Sequence, residues 1–484
     1  MINEFIILAA SRLPHSTLLV LGAGVGAIIV AWGYYHWRGA VKTALVVALF
    51  EGALRKWGLP QLQELVYFLK DVFLFGAYLK FFLAPDLDVR AYRLRIPGFA
   101  IGMLCLIVAL TALNPNIHSV ILSLFGLKVY FYYLPLLFMM PFVFRTESEM
   151  ISQMTWYAFL ALPICLLGLA QWGAGGDSIL NVYAQHGSSE GGIAGFGFDM
   201  GNKARITGTF SYLTGHTTFV IFFITLCLIL LTVKETRSKW IIGGVILPLL
   251  AVNGMMGGSR ASIYTGAFVL IGMALPAFAG KIGAGTAFKK ILLASLLAGF
   301  VLITYFFYEA FFYMSVRTRV AEDTIYERTL GHIVTAISVA IEKGGFFGFG
   351  LGLCHPATSS LMSFLGVSPK VKPFGVEAEA GNVWMEAGLM GFVAWYVLRF
   401  LLIWLCWRQY GLARSPFQKS LALAALLLSG PFLAMQVVIN HTANILLFAF
   451  YGLAMLPSLE PLVLMRHRRQ PGSSHRGLPS GTRR

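Results

Sequence analysis

Charge is what this sequence has least of. Asp, Glu, Lys and Arg make up 12% of its 484 residues, about half of the roughly 25% carried by a soluble domain. That shortage excludes a soluble globular enzyme. Disorder, which needs many charges and few apolar residues, is excluded with it. Cysteine is scarce too: Cys105, Cys165, Cys227 and Cys406 lie in apolar runs and only Cys354 in a polar loop. One loop cysteine makes no intramolecular disulfide there, and no CxxC or His/Cys cluster suggests zinc. The opening MINEFIILAASRLPHS lacks the basic region and small-residue cleavage site of a signal peptide. No internal repeat is visible, which weighs against an inverted-repeat transporter. No DxD motif or paired Asp/His set stands in the outside loops, so neither a metal nor a cofactor is expected.

Apolar residues dominate instead. The set AVILMFWYC makes up 57% of the chain and the mean hydropathy is +0.74. The expected fold class is all-α, a polytopic helical membrane protein whose main solvent is lipid. A bilayer core about 30 Å thick needs roughly 20 apolar residues per helix. Candidate spans fall at 17–36, 40–56, 65–84, 97–113, 129–145, 155–173, 214–233, 239–254, 262–280, 290–308, 383–406, 418–438 and 442–459. The second and third are weak because they carry Glu51, Arg55 and Lys56, then Lys70, Asp71 and Lys80; the eighth is short. The expectation is therefore about 12–13 transmembrane helices.

The surplus of 37 Lys and Arg over 21 Asp and Glu gives a net charge of +16. In a soluble protein this would raise the question of nucleic acid. In a helical membrane protein it orients the chain, because cytoplasmic loops collect Lys and Arg, and no nucleic-acid partner is expected. With a cytoplasmic C-terminus, segments 37–42, 85–96, 145–154, 234–239, 281–290, 407–419 and 460–484 hold 21 Lys and Arg, while the longer outside segments hold 11. Residues 1–465 then form one integral-membrane domain with large outside loops at 174–213 and 309–382. Residues 466–484, basic and rich in Gly, Ser and Pro, form a disordered cytoplasmic tail. Loops longer than about 12–15 residues are usually functional or disordered. The second one has a helical pattern of its own, Val320, Ile325, Leu330, Ile333, Val334, Ile337 and Ile341, stopping at Gly344-Gly345. That pattern describes one large folded loop on the periplasmic side.

Charges inside spans need a reason. Glu51 and Arg55 are i,i+4 neighbours able to pair, and Lys70 and Asp71 lie one hairpin away. A structural ion-pair network locking the second and third spans is favoured over a substrate path. Gly22 and Gly26 in LGAGVGA read as a helix-packing GxxxG face. Outer-side arginines run against the positive-inside bias: Arg205 in RITGTFSYLTGH, Arg260 in the turn GGSRAS, and Arg317, Arg319 and Arg328 in the large loop. A guanidinium fork fits phosphate oxygens bidentately, so their convergence would hold a lipid-linked phosphate or pyrophosphate. Headgroup snorkelling is the competing reading for any one of them. Acid–base candidates are His332 in YERTLGHIV, His355 in GFGLGLCHP, Glu377 and Glu379 in GVEAEAGNVW, and Glu386. A partly desolvated carboxylate at the interface suits a base for a sugar hydroxyl; an ordinary interfacial carboxylate is the alternative.

Five short pieces carry a resemblance: GLKVYFYYLPLLF, RITGTFSY, GGSRAS, ERTLGHIV running to FFGFGLG, and AEAGNVWMEAGLMGF. In this order, with a large outside loop between the tenth and eleventh spans, they resemble the O-antigen polymerase and O-antigen ligase superfamily. Those proteins are multi-pass bacterial inner-membrane glycosyltransferases acting on undecaprenyl-pyrophosphate-linked sugars. The resemblance implies phosphate binding by Arg205, Arg260 and Arg328, loop glycines at Gly348, Gly350 and Gly352, and an ExGxxG pattern at Glu386, Gly388 and Gly391. The ligases place a His-Asn pair shortly before that glutamate, where this chain has Val376-Glu377-Ala378-Glu379. A polymerase-like member is thus implied, with Glu379 or Glu377 as the base and His332 as the fallback. The implied reaction is inverting and metal-independent. Its partners are a polyprenyl-pyrophosphate-linked glycan, membrane lipid, and a chain-length regulator or export machinery. A ligase, a transporter or flippase of lipid-linked sugar, and an export scaffold are the alternatives.

Overall fold

A computed structural model of the chain describes residues 15–117, 119–183, 194–196, 203–233, 238–282, 285–320, 331–366, 375–376 and 378–462. They are helical almost throughout. In chain order the main helices are α1 (His15–Tyr35), α2 (Trp37–Ala53), α3 (Leu69–Leu83), α4 (Gly98–Leu110), α5 (Val120–Phe131), α6 (Leu136–Val143), α7 (Glu147–Phe159), α8 (Ala161–Gly173) and α9 (Leu213–Thr232). There follow α10 (Leu247–Met256), α11 (Arg260–Phe278), α12 (Thr286–Val301), α13 (Tyr308–Val320), α14 (His332–Gly344), α15 (Thr358–Leu365), α16 (Glu379–Leu412), α17 (Pro416–Phe432) and α18 (His441–Ala454).

Among the described residues six helical stretches are long and apolar enough to cross a membrane: Glu147–Gly173, Leu213–Thr232, Lys239–Met256, Arg260–Phe278, Thr286–Phe306 and Glu379–Leu412. The pair α5 and α6, bent by 48°, makes a seventh if it is one span. This is fewer than the thirteen expected, for physical reasons. The stretches Gly22–Tyr35, Gly98–Leu113 and His441–Ala454 are apolar but short. Helices α2 and α3 carry the charges noted above, and Pro135, which has no backbone N–H, stands at the bend before α6.

Burial separates the spans. Helix α9 is buried on nearly every side, whereas Thr286–Phe306 is mostly at the surface. The second turns Leu293, Leu296, Leu297 and Phe300 outward. Such a face would be an aggregation liability in water and carries no penalty against hydrocarbon. The close approach of α1 to α3 runs through Gly33 and Gly76, not mainly the expected Gly22 and Gly26. A Cβ on Gly76 would lie 2.2 Å from the Val30 carbonyl oxygen, whereas one on Gly26 would meet its nearest neighbour at 4.0 Å.

Polar contacts sort many of the connections into two groups. At one end Arg38 meets Asp86 and Asp88, Lys42 meets Glu149 at 2.7 Å, and the Ser415 hydroxyl meets Glu147. There too the strand β1 (Tyr92–Leu94) pairs antiparallel with β2 (Leu459–Pro461), matching Arg93 to Glu460. These contacts join segments 37–42, 85–96, 145–154, 407–419 and the region around 460. At the other end Trp57 donates to the Ile179 carbonyl, Asn114 to Gly348, Arg205 to Gly257, Arg317 to Phe196 and Asn440 to Thr214.

Candidate functional site

The second end holds every described residue of interest. Its spine is the non-helical segment from Lys203 to Tyr212, which turns at Gly208. Gln171 holds it from below: its Oε1 accepts from the Thr207 and Gly208 amides at 3.2 and 2.7 Å. Gly208 has φ +55, a left-handed value that glycine adopts without a Cβ penalty. Two buried cations of the π-helical turn ending α2 grip the same segment. Arg55 donates to the Ser211 hydroxyl at 3.0 Å, and Lys56 to the Thr207 hydroxyl at 3.0 Å and the Gly208 carbonyl at 2.8 Å.

At the start of the spine Arg205 donates through Nε to the Gly257 carbonyl at 3.0 Å. Its side chain lies against Gly258, where a Cβ would fall 2.7 Å from that Nε and φ is +61. Two residues later Arg260 opens α11, whose N-cap Ser259 makes no side-chain cap hydrogen bond. The first-turn amides and the macrodipole of a helix start both favour an anion. Arg317 on α13 reaches the Phe196 carbonyl at 3.1 Å. Burial, followed by the neighbouring Arg317 charge, pulls Arg205 down to about 10. Among the described residues neither Arg205 nor Arg260 has a carboxylate partner, and the terminal Nη atoms of Arg205 have no hydrogen-bond partner. Arg319 is exposed on α13 and is not brought into this group by any contact. Arg328 and Glu377 lie outside the described residues, as does the side chain of His332, whose backbone opens α14.

Glu379, the expected base, is corrected. It is fully buried at the start of α16, pairs with the buried Arg399 at 2.8 Å, and accepts from the amides of Val437 and Val438. Both oxygens are committed, so this carboxylate ties the two ends of the α16–α17 region together and faces no open site. Glu386 is likewise structural. Tyr130 donates to it at 2.7 Å, and the Cys354 amide donates at 2.7 Å to its other oxygen.

What Glu386 holds is the glycine loop. Gly348, Gly350 and Gly352 have φ of +67, +111 and +86, so all three lie where side chains are strained. The loop presses into the break of α16 at Gly388, φ +63, where Leu389 donates to the Phe346 carbonyl. It also touches α5: a Cβ on Gly126 would lie 2.3 Å from the Leu351 carbonyl oxygen. Gly126→Ala should therefore push the loop out of register, destabilising the purified protein by an amount typical of overpacking, about 1–3 kcal/mol, which would be read as a lowered thermal midpoint. An unchanged midpoint would show that the loop gives way freely.

The loop delivers His355 to a buried cluster that sequence reading did not assemble. The His355 Nε2 is 3.4 Å and the His441 Nε2 3.1 Å from the Tyr67 hydroxyl. The other nitrogen of His441 is 3.2 Å from Lys128 Nζ, which pairs with Asp71 at 2.8 Å. Tyr133 donates to Asp71 at 2.6 Å. Glu51 pairs with Lys70 at 2.6 Å, joining α2 to α3. The expected ion-pair network is thus present, with Lys70 where Arg55 was expected. Arg55, Lys70 and Lys128 stand 5.2, 5.0 and 5.0 Å from the centre of the Tyr67 ring. Arg55 therefore bridges the Ser211 end of the spine and the Tyr67 cluster.

No protein-family model matches the chain, and no curated protein matches it.

Proposed function

We propose that the protein is an inner-membrane, multi-pass glycosyltransferase of the O-antigen polymerase type. It acts at the periplasmic face, with the C-terminus cytoplasmic. It transfers a polyprenyl-pyrophosphate-linked glycan to a hydroxyl of another lipid-linked repeat unit, inverting the anomeric centre without a metal. The observation that carries this reading is the group of Arg205, Arg260 and Arg317 around the Gly257-Gly258 turn, cationic and, among the described residues, without a carboxylate on Arg205 or Arg260. A pyrophosphate leaving group gathers negative charge as its bond to the sugar breaks, and preorganised donors aimed at that charge are the largest catalytic contribution of such a site. The exposed apolar helix faces suit a donor that stays in the bilayer by its polyprenyl tail.

The test is reconstitution of the full chain in liposomes with polyprenyl-pyrophosphate-linked oligosaccharide. Lengthened glycan together with released polyprenyl pyrophosphate is the expected result. Transfer only to a different acceptor would support a ligase. Movement of the donor between leaflets without any glycosyl transfer would support a flippase and sink the proposal.

A further inference from the structure

The proposed donor carries its first sugar directly on the pyrophosphate, so a group that recognises that sugar has to lie beside Arg205. We infer that Tyr212, backed by Tyr183, is a platform for the sugar next to the pyrophosphate of the lipid-linked glycan. The inference rests on the glycosyltransferase reading and names the residues that recognise the glycan part of its donor.

Two contacts place the pair. The Tyr183 hydroxyl donates to the Arg205 carbonyl at 3.2 Å. Its ring meets the Tyr212 ring edge to face, with the centres 5.6 Å apart and the planes at 80°. Both phenols lie close enough to Arg205 to interact with its charge, while the Arg205 side chain itself runs to the Gly257 turn. Tyr212 is 52% exposed, so the outer member of the pair is open to a ligand. An aromatic face is the negative side of the ring quadrupole. The C–H bonds on one side of a pyranose carry slightly positive hydrogens, so such a sugar can lie on the ring and keep its hydroxyls turned away.

The pair is held before any ligand arrives. One buried side chain laces segment 178–183 to the spine: Gln171 Nε2 donates to the Leu180 carbonyl at 2.8 Å and the Gly208 carbonyl at 3.2 Å. Asn181 donates back to the Gln171 and Gly175 carbonyls, both at 3.0 Å, and Trp57 holds the Ile179 carbonyl. A fixed platform loses little conformational freedom on binding.

The place of Tyr212 in its helix is the second argument. It is the N-cap of α9, with φ −152 and ψ 167, and makes no side-chain cap hydrogen bond. Ser, Thr, Asp and Asn stabilise a helix at that position, and tyrosine forgoes the bond they supply. Packing does not account for the choice, because half of the ring is open. A contact with a ligand does. A tyrosine of the interfacial belt is open too, and the experiment separates the two roles.

Binding of two probes to the purified full chain is measured: polyprenyl pyrophosphate alone, and the same lipid carrying an oligosaccharide. The wild type should bind the glycan-bearing lipid more tightly. Tyr212→Ser should weaken that lipid about tenfold and leave bare polyprenyl pyrophosphate within about threefold. Its thermal midpoint should equal or exceed that of the wild type, because serine supplies the missing cap. Tyr212→Phe, which keeps the ring, should recover most of the lost affinity. Equal weakening of both probes, or a loss below about threefold for the glycan-bearing lipid, would overturn the platform and leave Tyr212 as an interfacial anchor. If Tyr212→Ser does not fold, Tyr212→Leu decides by the same comparison, since leucine keeps apolar bulk and removes the aromatic face. A wild type that binds both probes equally removes the platform alone; one that binds neither removes it together with the glycosyltransferase reading. Glycan-dependent binding without any transfer removes that reading and keeps the platform.

Discussion

Glu379→Gln should unfold the protein rather than merely silence it. The substitution keeps the shape of the side chain but leaves Arg399, 2% exposed, without its counter-charge. Removing one partner of a buried ion pair costs about 3–5 kcal/mol, because the remaining charge stays desolvated and unpaired. The amides of Val437 and Val438 also lose the carboxylate that accepts from them, so the segment after α17 loses its anchor on α16. Thermal unfolding of the detergent-purified protein should show a large fall in midpoint, with poor recovery from the membrane. Arg399→Met should be destabilised in the same way. The double replacement, Glu379→Met with Arg399→Met, should lie closer to the wild type than either single variant, since an apolar pair leaves no orphan charge. A base behaves differently: its amide isostere folds normally and fails only in turnover. An unchanged midpoint in Glu379→Gln with transfer abolished would return the catalytic role to Glu379.

The case of Glu379 shows where sequence reading runs out. A glutamate just before an apolar run has the appearance of an interfacial carboxylate, and nothing local marks Arg399, twenty residues on in the same broken helix, as its partner. His355 stood out beside the glycine run, but its grouping with Tyr67, Lys128 and His441 was beyond reach for the same reason, since Tyr67 and His441 are separated by 374 positions. No spacing rule links such residues; only the packing of α5 and α18 with the glycine loop brings them together. Other features were legible because their physics is local. Helix content followed from hydropathy. The Lys and Arg counts placed together five segments that polar contacts join, 37–42, 85–96, 145–154, 407–419 and the region around 460. The stop of α14 followed from Gly344-Gly345, the second with φ +60. The strained glycines 348, 350 and 352 were visible as a run, although their purpose, threading the loop into the Gly388 break, was not. Counting spans failed where charge and proline interrupt apolar runs, at α2, α3 and the bend between α5 and α6.

Arg260→Lys should fail almost as badly as Arg260→Ala in the transfer assay. Arg260 stands beside a turn whose glycines bring Arg205 within hydrogen-bond distance of the Gly257 carbonyl. The Nε of Arg205 is spent on that carbonyl, which aims its two terminal nitrogens as a fixed pair. A second fork from Arg260 would complete a cradle for the two phosphates. Lysine keeps the charge but offers one compact ammonium on a flexible stem, so it cannot bridge two oxygens of one phosphate. Removing one preorganised donor to a developing oxyanion typically lowers kcat by about 10²–10³-fold, and both variants are expected in that range with normal folding and membrane level. Arg205→Lys should be worse than Arg260→Lys, because it also releases the Gly257 carbonyl and loosens the turn that places Arg260. A snorkelling arginine predicts the opposite order. There lysine substitutes freely, because all that is required is a cation on a long stem reaching the headgroups. Full glycan growth from Arg260→Lys would therefore reduce Arg260 to an interfacial anchor and leave Arg205 and Arg317 to hold the pyrophosphate.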